Sequence, residues 1–232
     1  MMNISVILPY YKRFELFEPA LAYNVRWWAR GDGIEIQLVL VLDEPTEIEE
    51  VLKLAGRYPL RWKIIVNRRD HPWRNPAKAL NVGIRQSELK YCLIISPETL
   101  LLSDVPRLLM ERVLKSSDAG YAFGQTLFDA PIQPSPNPYR WGSLFAVRQH
   151  LLEIRGYDET AEVWGGDDDN IRLRLEMHGL LPLPTEEARL FHPGHPLSRE
   201  VTEQKQRLKN PARAIANDAN WGKDFEEVIF RC

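Results

Sequence analysis

The chain has 232 residues, enough for one large domain or two small ones and for a substantial buried core. Its hydrophobic content of 44% indicates a globular protein, and 30 basic against 32 acidic residues argue against a general nucleic-acid binder. Two cysteines suggest no disulfide framework, which favours a reducing compartment. The opening residues MMNISVILPYY lack a signal-peptide pattern, and no apolar stretch approaches the about 20 residues that span a bilayer, so a cytoplasmic protein is predicted.

The first 115 residues alternate between short apolar runs and helical segments. Strands are predicted at 4–8, 37–42, 63–66 and 91–96, and helices at 15–29, 47–58, 77–87 and after Asp104. This alternation indicates βαβ units and a mostly parallel sheet, which binds ligands at the carboxyl ends of its strands. The side chains that follow the strands are therefore expected to line one cleft: Pro9, Tyr10, Tyr11, Asp43, Glu44, Asn67, Arg68, Ser96 and Glu98.

The second half of the chain is less regular. A proline-rich stretch at 128–142 is long enough to be a functional loop, and a strand is predicted at 143–148. Residues 168–178 alternate apolar and polar side chains, as a strand does, but their composition and Gly179 at the end favour a helix.

Three consecutive carboxylates, Asp167, Asp168 and Asp169, follow Trp164, Gly165 and Gly166. One interpretation is an acidic helix start on the surface, and the other is a site where one carboxylate takes a proton. A calcium loop is excluded because an apolar isoleucine follows where a third oxygen ligand is required.

Four stretches of the sequence together resemble the GT-A nucleotide-sugar glycosyltransferases of the inverting family 2 type, and the last also resembles the galactosyltransferase C-terminal module. They are ISVILPYYKR, LVLVLDEPTE, NPAKALNVGIRQS and RWGSLFAVRQHLLEIRGYDETAEVWGGDDDNIRLRL. The resemblance implies an α/β protein with a mixed, mostly parallel central sheet. It also implies one GT-A domain over 1–232, with a nucleotide-sugar-binding half at 1–115 and an acceptor-binding and catalytic half at 116–232.

The resemblance assigns expected roles to individual residues. Asp168, beside Asp167, matches the family's catalytic base. The expected donor-binding residues are Pro9, Tyr10, Tyr11, Asp43, Glu44, Arg68, Arg74, Lys78, Asn81, Ser96 and Glu98. The expected acceptor-binding residues are Trp141, Trp164, Gly165 and Gly166. For the aromatic, basic and acidic members, ordinary loop packing or solvent exposure is the alternative.

The sequence departs from the family at the metal site. An Asp-x-Asp normally follows the fourth strand, but Ser96-Pro97-Glu98 stands there, and serine is a poor metal ligand. The resemblance implies that Glu98 and His192 are the ligands of Mn²⁺ or Mg²⁺, since His192 lies 25 residues after Asp167, close to where related glycosyltransferases place a metal-binding histidine. His192 is equally well explained as a turn residue, and that explanation is favoured for His195.

The predicted function is transfer of a hexose or N-acetylhexosamine from a UDP-sugar to a saccharide or lipid-linked acceptor, with inversion. The alternative is a non-catalytic nucleotide-sugar or glycan-binding protein on a degenerate scaffold. A cyclic-dinucleotide synthase fits less well, because Asp168 and Asp169 occupy the last two positions of its Gly-Gly-acid-Glu-Phe motif. A sugar nucleotidyltransferase fits less well, because PYYKRFELF after the first strand contains no glycine. Residues 198–217 are mildly basic and form either a solvated helix, which is favoured, or a helix in peripheral contact with the inner face of the membrane.

Overall fold

The structure is a computed structural model that describes residues 2–29, 31–73, 75–128, 142–193 and 199–231. The predictions for Arg74, Trp141 and His195, and most of the proline-rich stretch, fall outside these residues.

The described residues form nine strands and seven helices. The strands are β1 Met2–Tyr10, β2 Ile34–Leu42, β3 Arg61–Asn67, β4 Tyr91–Ile94, β5 Leu100–Leu101, β6 Gly120–Phe128, β7 Leu144–Val147, β8 Leu181–His192 and β9 Glu227–Arg231. The helices are α1 Phe14–Trp28, α2 Ile48–Ala55, α3 Ala77–Gln86, α4 Val105–Lys115, α5 Arg148–Glu153, α6 Asp167–Met177 and α7 Arg199–Lys209.

All nine strands lie in one sheet, in the order β5-β8-β6-β7-β4-β1-β2-β3-β9. The four strands predicted in the first half, β4-β1-β2-β3, are adjacent and parallel. The second half adds antiparallel neighbours, β7 beside β4 and β9 beside β3, while β6 and β8 are parallel to each other. The predicted α/β fold with a mixed sheet is confirmed.

Helices cover both faces of the sheet. Alternate residues of a strand point to opposite faces, so Val6 and Leu8 pack with α1, α2 and α4, while Ile7 packs with α3, α5 and α6. The continuous apolar runs of β1 and β2 are explained by this double burial, since both faces of these strands lie in a core.

The predicted helix at 168–178 is confirmed as α6. Its strand-like alternation arises because polar side chains share the buried face: Arg172 and Arg174 are both buried, as are Ile171 and Leu175. The helix stops at Gly179, whose φ of +94° is easily adopted only by glycine.

Several elements of the second half, including β6, β8, β9 and α5, were not predicted. Strand β8 is hard to recognise because it contains Pro182 and Pro184. Both prolines lie in the part of β8 that pairs with β6 on its inner side. On its outer side, β8 pairs with β5 further along the strand, at Leu190 and Phe191. Proline is tolerated there because an edge strand needs no donor on its outer side.

Helix α7 occupies only 199–209 of the predicted 198–217 helix. It packs against α6, and Leu208 is buried in that contact. The side chain of Asn170 in α6 donates a hydrogen bond to the carbonyl of Leu208. Gly166, at the start of α6, permits the contact, since a Cβ there would lie 2.6 Å from Cα of Lys205.

Replacing Gly166 by alanine tests this packing, with Gly179→Ala as the matched control. Both glycines have φ near +90°, but a Cβ at Gly179 meets nothing within 4 Å. Gly179→Ala should therefore cost only the backbone strain, about 1–2 kcal/mol, whereas Gly166→Ala should cost about 1–3 kcal/mol more because α7 must shift. Urea unfolding of the two variants measures the difference, and equal losses of stability would contradict the proposed packing.

Candidate active site

The carboxyl ends of β1, β2 and β3 lie side by side. Tyr10 is opposite Leu42, and Leu42 is opposite Val66, so the loops that follow these strands leave the sheet at one edge. The loops enclose a cavity of about 370 Å³, a volume typical of small-molecule sites. It is lined by Tyr11, Lys12, Glu44, Pro45, Thr46, Arg68, Arg69, Asp70 and His71.

Asp43 is buried directly behind the cavity, next to the lining residue Glu44 in the chain and in contact with the lining residue His71. Its amide donates to the carbonyl of Tyr10 at 2.8 Å, which holds the ends of β1 and β2 together. His71 Nε2 lies 3.0 Å from the Asp43 carboxylate, and the His71 ring stacks on Trp73 with a centroid distance of 3.6 Å. The loop between β3 and α3 is therefore fixed against the end of β2.

Of the two neighbouring tyrosines, Tyr11 lines the cavity. The Tyr10 ring is buried against Phe17, and its hydroxyl donates to Glu47. Pro9 lies within β1, paired with Val41. Of these three side chains, Tyr11 is thus the one that lines the cavity.

Two expected donor-binding residues of α3 have partners elsewhere in the fold. Lys78 forms an ion pair with Asp224 and lies 4.3 Å above the Trp73 ring. Asn81 is fully buried and exchanges hydrogen bonds with the backbone of Tyr157, donating to its carbonyl at 2.8 Å and accepting from its amide at 2.6 Å. These bonds give Asn81 a structural function, holding the turn before the aspartate triplet.

Glu98 is the centre of a second cluster, beside the cavity. A turn in which the Thr99 amide donates to the Ser96 carbonyl follows β4 and carries Glu98, which is 4% exposed. The guanidinium of Arg13 pairs with its carboxylate, and His192 Nε2 lies 3.8 Å from the same oxygen. Residues that follow β1 and β4 thus meet the last residue of β8 at one carboxylate.

The hydrogen bond of His192 fixes how its ring faces Glu98. Nδ1 lies 2.6 Å from the carbonyl of Pro193, so Nδ1 carries a proton and donates it there. In the neutral ring Nε2 then presents its lone pair towards the Glu98 carboxylate. An imidazole lone pair and a carboxylate 3.8 Å apart can both reach one divalent cation, since each ligand lies about 2.1 Å from such an ion. The two predicted ligands therefore fit a metal ion.

The aspartate triplet occupies the first turn of α6, close to this cluster. Burial raises the pKa of Asp168, and the nearby carboxylate of Asp169 raises it further, while Arg172, Lys205 and His192 oppose the rise. Burial and the charge of Asp168 likewise raise the pKa of Asp167. His192 is thus near both Glu98 and Asp168, and so brings the two halves of the sequence to one place.

Sequence reasoning missed several residues that organise the site, among them Arg13, Glu47, His71 and Asn75. Asn75 is buried, and its amide donates to the carbonyl of Val163 at 2.9 Å, with Asp167 Oδ1 at 3.5 Å. Only their positions in the sequence could have pointed to these residues. Arg13 follows the first strand, and His71 and Asn75 lie in the polar loop that follows the third strand.

The expected acceptor residues precede the triplet on a short loop. Trp164 is 36% exposed, while Gly165 and Gly166 are buried with φ of +101° and +86°. The exposed indole could stack on a sugar ring, and the glycines let the chain turn into α6 without a side chain in the way.

The chain is similar in fold to three solved structures of glycosyltransferases. The catalytic domain of Drosophila β1,4-galactosyltransferase 7 in complex with xylobiose has a TM-score of 0.62 and 15% identity, over 92% of this chain and 83% of that one. The chain has the GT-A glycosyltransferase fold. A mutant of the Drosophila enzyme in complex with manganese, UDP-Gal and xylobiose has a TM-score of 0.59 and 17% identity, over 90% of this chain and 80% of that one.

The GT-A fold also relates the chain to S. aureus TarS, with a TM-score of 0.63 and 13% identity, over 90% of this chain and 39% of TarS. The sequence itself matches no protein-family model and no curated protein. Within the ranges that the structure describes, no helix has the length and apolar character to cross a membrane.

The raised pKa of Asp168 predicts a pH-dependent effect on stability. A carboxyl group whose pKa is higher in the folded than in the unfolded state destabilises the fold as pH rises from the unfolded value, about 3.9, through the folded value. Asp168→Asn should therefore be more stable than the parent at neutral pH, and this difference should shrink as pH falls through that range.

Urea unfolding at several pH values between 4 and 8 measures this effect. Asp32→Asn is the control, because Asp32 pairs with Arg107 in an exposed position far from the triplet in sequence. If Asp168→Asn is less stable than the parent at neutral pH, the conclusion that the fold raises the pKa of Asp168 is wrong.

Proposed function

We propose that the protein is an inverting glycosyltransferase that moves a hexose or N-acetylhexosamine from a UDP-sugar to a saccharide or lipid-linked acceptor. The observation that carries the proposal is the meeting of Glu98, His192 and the aspartate triplet beside the strand-end cavity of a GT-A fold. The related structures with UDP-Gal, xylobiose and manganese support the choice of substrate class and metal.

Asp168 is the proposed general base. In a single displacement, the acceptor hydroxyl oxygen forms a bond to the anomeric carbon while the bond to the diphosphate breaks on the opposite face. The carboxylate of Asp168 takes the hydroxyl proton, and the nucleoside diphosphate leaves with the electron pair. The raised pKa suits this task, because a carboxylate that holds a proton more tightly is a stronger base.

The nucleoside is proposed to bind in the strand-end cavity. Tyr11 and Glu44 line this cavity. Tyr11 would stack on the base, and the carboxylates of Glu44 and of its neighbour Asp43 would accept hydrogen bonds from the base or ribose. Arg68 lines the same cavity and would face the diphosphate. Arg74 and Lys78 are proposed to join it, and Lys78 would then exchange its ion pair with Asp224 for the diphosphate. The cavity is strongly polar, which fits a nucleotide better than an apolar ligand.

A Mn²⁺ or Mg²⁺ ion, when held by Glu98 and His192, would supply positive charge to the leaving diphosphate. Arg13 is a further cation at this position, since it pairs with Glu98. Ser96 and Glu98 therefore remain proposed donor-side residues, with Glu98 the stronger metal ligand.

On the acceptor side, Trp164 would stack on the sugar, and Gly165 and Gly166 would let it approach Asp168. Trp141 is proposed to join them. A cytoplasmic location with peripheral contact at the inner membrane face would suit a lipid-linked acceptor, and remains a prediction from the sequence.

Replacing Asp168 by asparagine tests the base directly. The variant keeps the shape of the side chain but cannot accept the proton, so kcat should fall by about 10²–10⁴, while the Kd for UDP should change little. Glycosyl transfer to a panel of saccharide acceptors measures kcat, and calorimetry measures the Kd. Asp32→Asn again serves as the control and should keep both values; retained turnover in Asp168→Asn would refute the assignment.

The metal site is tested by calorimetric titration with Mn²⁺, with and without UDP. Glu98→Gln and His192→Gln each remove a proposed ligand and should weaken binding by about 10-fold or more. Arg13→Gln removes a competing cation from Glu98 and should therefore strengthen Mn²⁺ binding. Glu50→Gln, on the exposed side of α2, is the control. Equal Mn²⁺ affinity in all four variants would contradict the site.

A second candidate is a nucleotide-sugar or glycan-binding protein without activity. It is favoured by the pairing of Glu98 with Arg13 and by the serine at the first metal position. UDP binding with no transfer or hydrolysis, across a broad donor and acceptor panel, would support this candidate over the first.

A further inference from the structure

A cluster of two histidines and one glutamate lies away from the candidate active site. His150 and Glu153 are one turn apart on α5, and His178 follows the last residue of α6. One nitrogen from each histidine and one carboxylate oxygen all lie within 4.8 Å of one another. No step of the proposed glycosyl transfer uses these side chains.

The distances within the cluster match a shared ligand. Glu153 Oε2 lies 2.9 Å from His178 Nε2 and 3.4 Å from His150 Nδ1. Two ligands of a tetrahedral zinc ion lie about 3.3 Å apart, since each Zn–N or Zn–O bond is about 2.0–2.1 Å long. Small side-chain rotations would be enough to place an ion between them.

The surrounding hydrogen bonds orient two of the three groups. His150 Nε2 lies 3.1 Å from the carbonyl of Asp118, so that nitrogen carries a proton and donates it. Its other nitrogen, Nδ1, then presents a lone pair to the Glu153 carboxylate. Gln149 donates to Glu153 Oε1 at 3.1 Å, which leaves Oε2 turned towards the histidines. Such outer partners are typical of metal-binding imidazoles and carboxylates.

A lone pair facing a carboxylate is unfavourable unless a cation lies between the two. A proton on His150 would satisfy the pair, but so would a divalent metal, which also engages His178. Two imidazoles and one carboxylate suit Zn²⁺ and similar transition metals, whereas Mg²⁺ and Ca²⁺ prefer oxygen ligands.

We infer that His150, Glu153 and His178 form a binding site for Zn²⁺ or a similar divalent transition metal that ties α5 to the end of α6. Water would take the fourth position, because the three side chains are 25–40% exposed. The site lies near the amino end of β4, where the Arg148 amide donates to the carbonyl of Lys90. His178 lies ten residues after Asp168, which is about 15 Å along α6 at a rise of 1.5 Å per residue.

The site would act as a structural cross-link. Helix α6 carries the aspartate triplet at one end and His178 at the other, so a metal at the second end would restrict the helix as a whole. This inference does not depend on the proposed function, since it concerns metal binding and stability and needs no substrate.

Titration of the metal-free full chain with ZnCl₂ tests the inference. A background with His192→Gln, His195→Gln and Cys232→Ser removes three other candidate ligands for zinc, and the remaining histidine and cysteine, His71 and Cys92, have buried side chains. We expect one Zn²⁺ per chain by calorimetry, and a rise in Tm of about 5 °C or more when zinc reaches 100 times its Kd. A background protein that neither binds Zn²⁺ at this stoichiometry nor gains thermal stability would overturn the inference.

His178→Gln and Glu153→Gln in this background should each weaken Zn²⁺ binding by about 10–100-fold or more. Glu186→Gln, an exposed carboxylate on β8, is the matched control and should keep the parent affinity. Both test positions are partly exposed, so the variants are expected to fold, and cooperative thermal unfolding checks this. Zn²⁺ affinity that is equal in all three variants would place the metal elsewhere and overturn the inference.

Discussion

The buried guanidinium of Arg174 holds together the part of the fold that carries the aspartates. Its side chain is fully buried in α6 and donates to the carbonyls of Ile154 and Ala214, each at 2.8 Å, and to the carbonyl of Gly156. Burial lowers the pKa of Arg174 to about 10, so the group remains charged at neutral pH. A buried charge must keep its partners, because losing them leaves it without solvation. The position of α6, and with it that of Asp168, is therefore tied to two distant segments.

Two asparagines join this region to the first half of the chain. Asn81 binds the backbone of Tyr157, and Asn75 donates to the carbonyl of Val163, so the start and middle of α3 support the loop that leads into α6. Helix α3 can lie close to the sheet because of Gly83, where a Cβ would come within 2.5 Å of the Ile7 side chain. The Ala-x-Asn-x-Gly stretch thus has a structural explanation: its glycine seats the helix, and its asparagine fixes the neighbouring turn.

The sequence was informative wherever the physical cause is local. Buried parallel strands appear as short apolar runs, and their carboxyl ends must lie at one edge, which is why Asp43 and Glu98 could be predicted to stand near one cleft. The pairing of Arg13 with Glu98 could not be predicted, because it joins residues 85 positions apart and no periodicity marks it. The contact of His71 with Asp43 could not be predicted for the same reason. Strand β8 could not be predicted either, because its prolines argue against a strand until its position at the sheet is known. Pairings made only by tertiary packing leave no signal in a single sequence.

The charges around Glu98 suggest how the site could work without a second carboxylate ligand. With Ser96 in place of an acid, and with Arg13 already paired to Glu98, the site attracts a divalent ion less strongly than two free carboxylates would. A diphosphate would change this balance, since its oxygens are themselves good ligands and its negative charge would draw Arg13 away from Glu98. On the proposed function, metal and nucleotide would therefore bind together better than either alone, because each supplies charge that the other lacks.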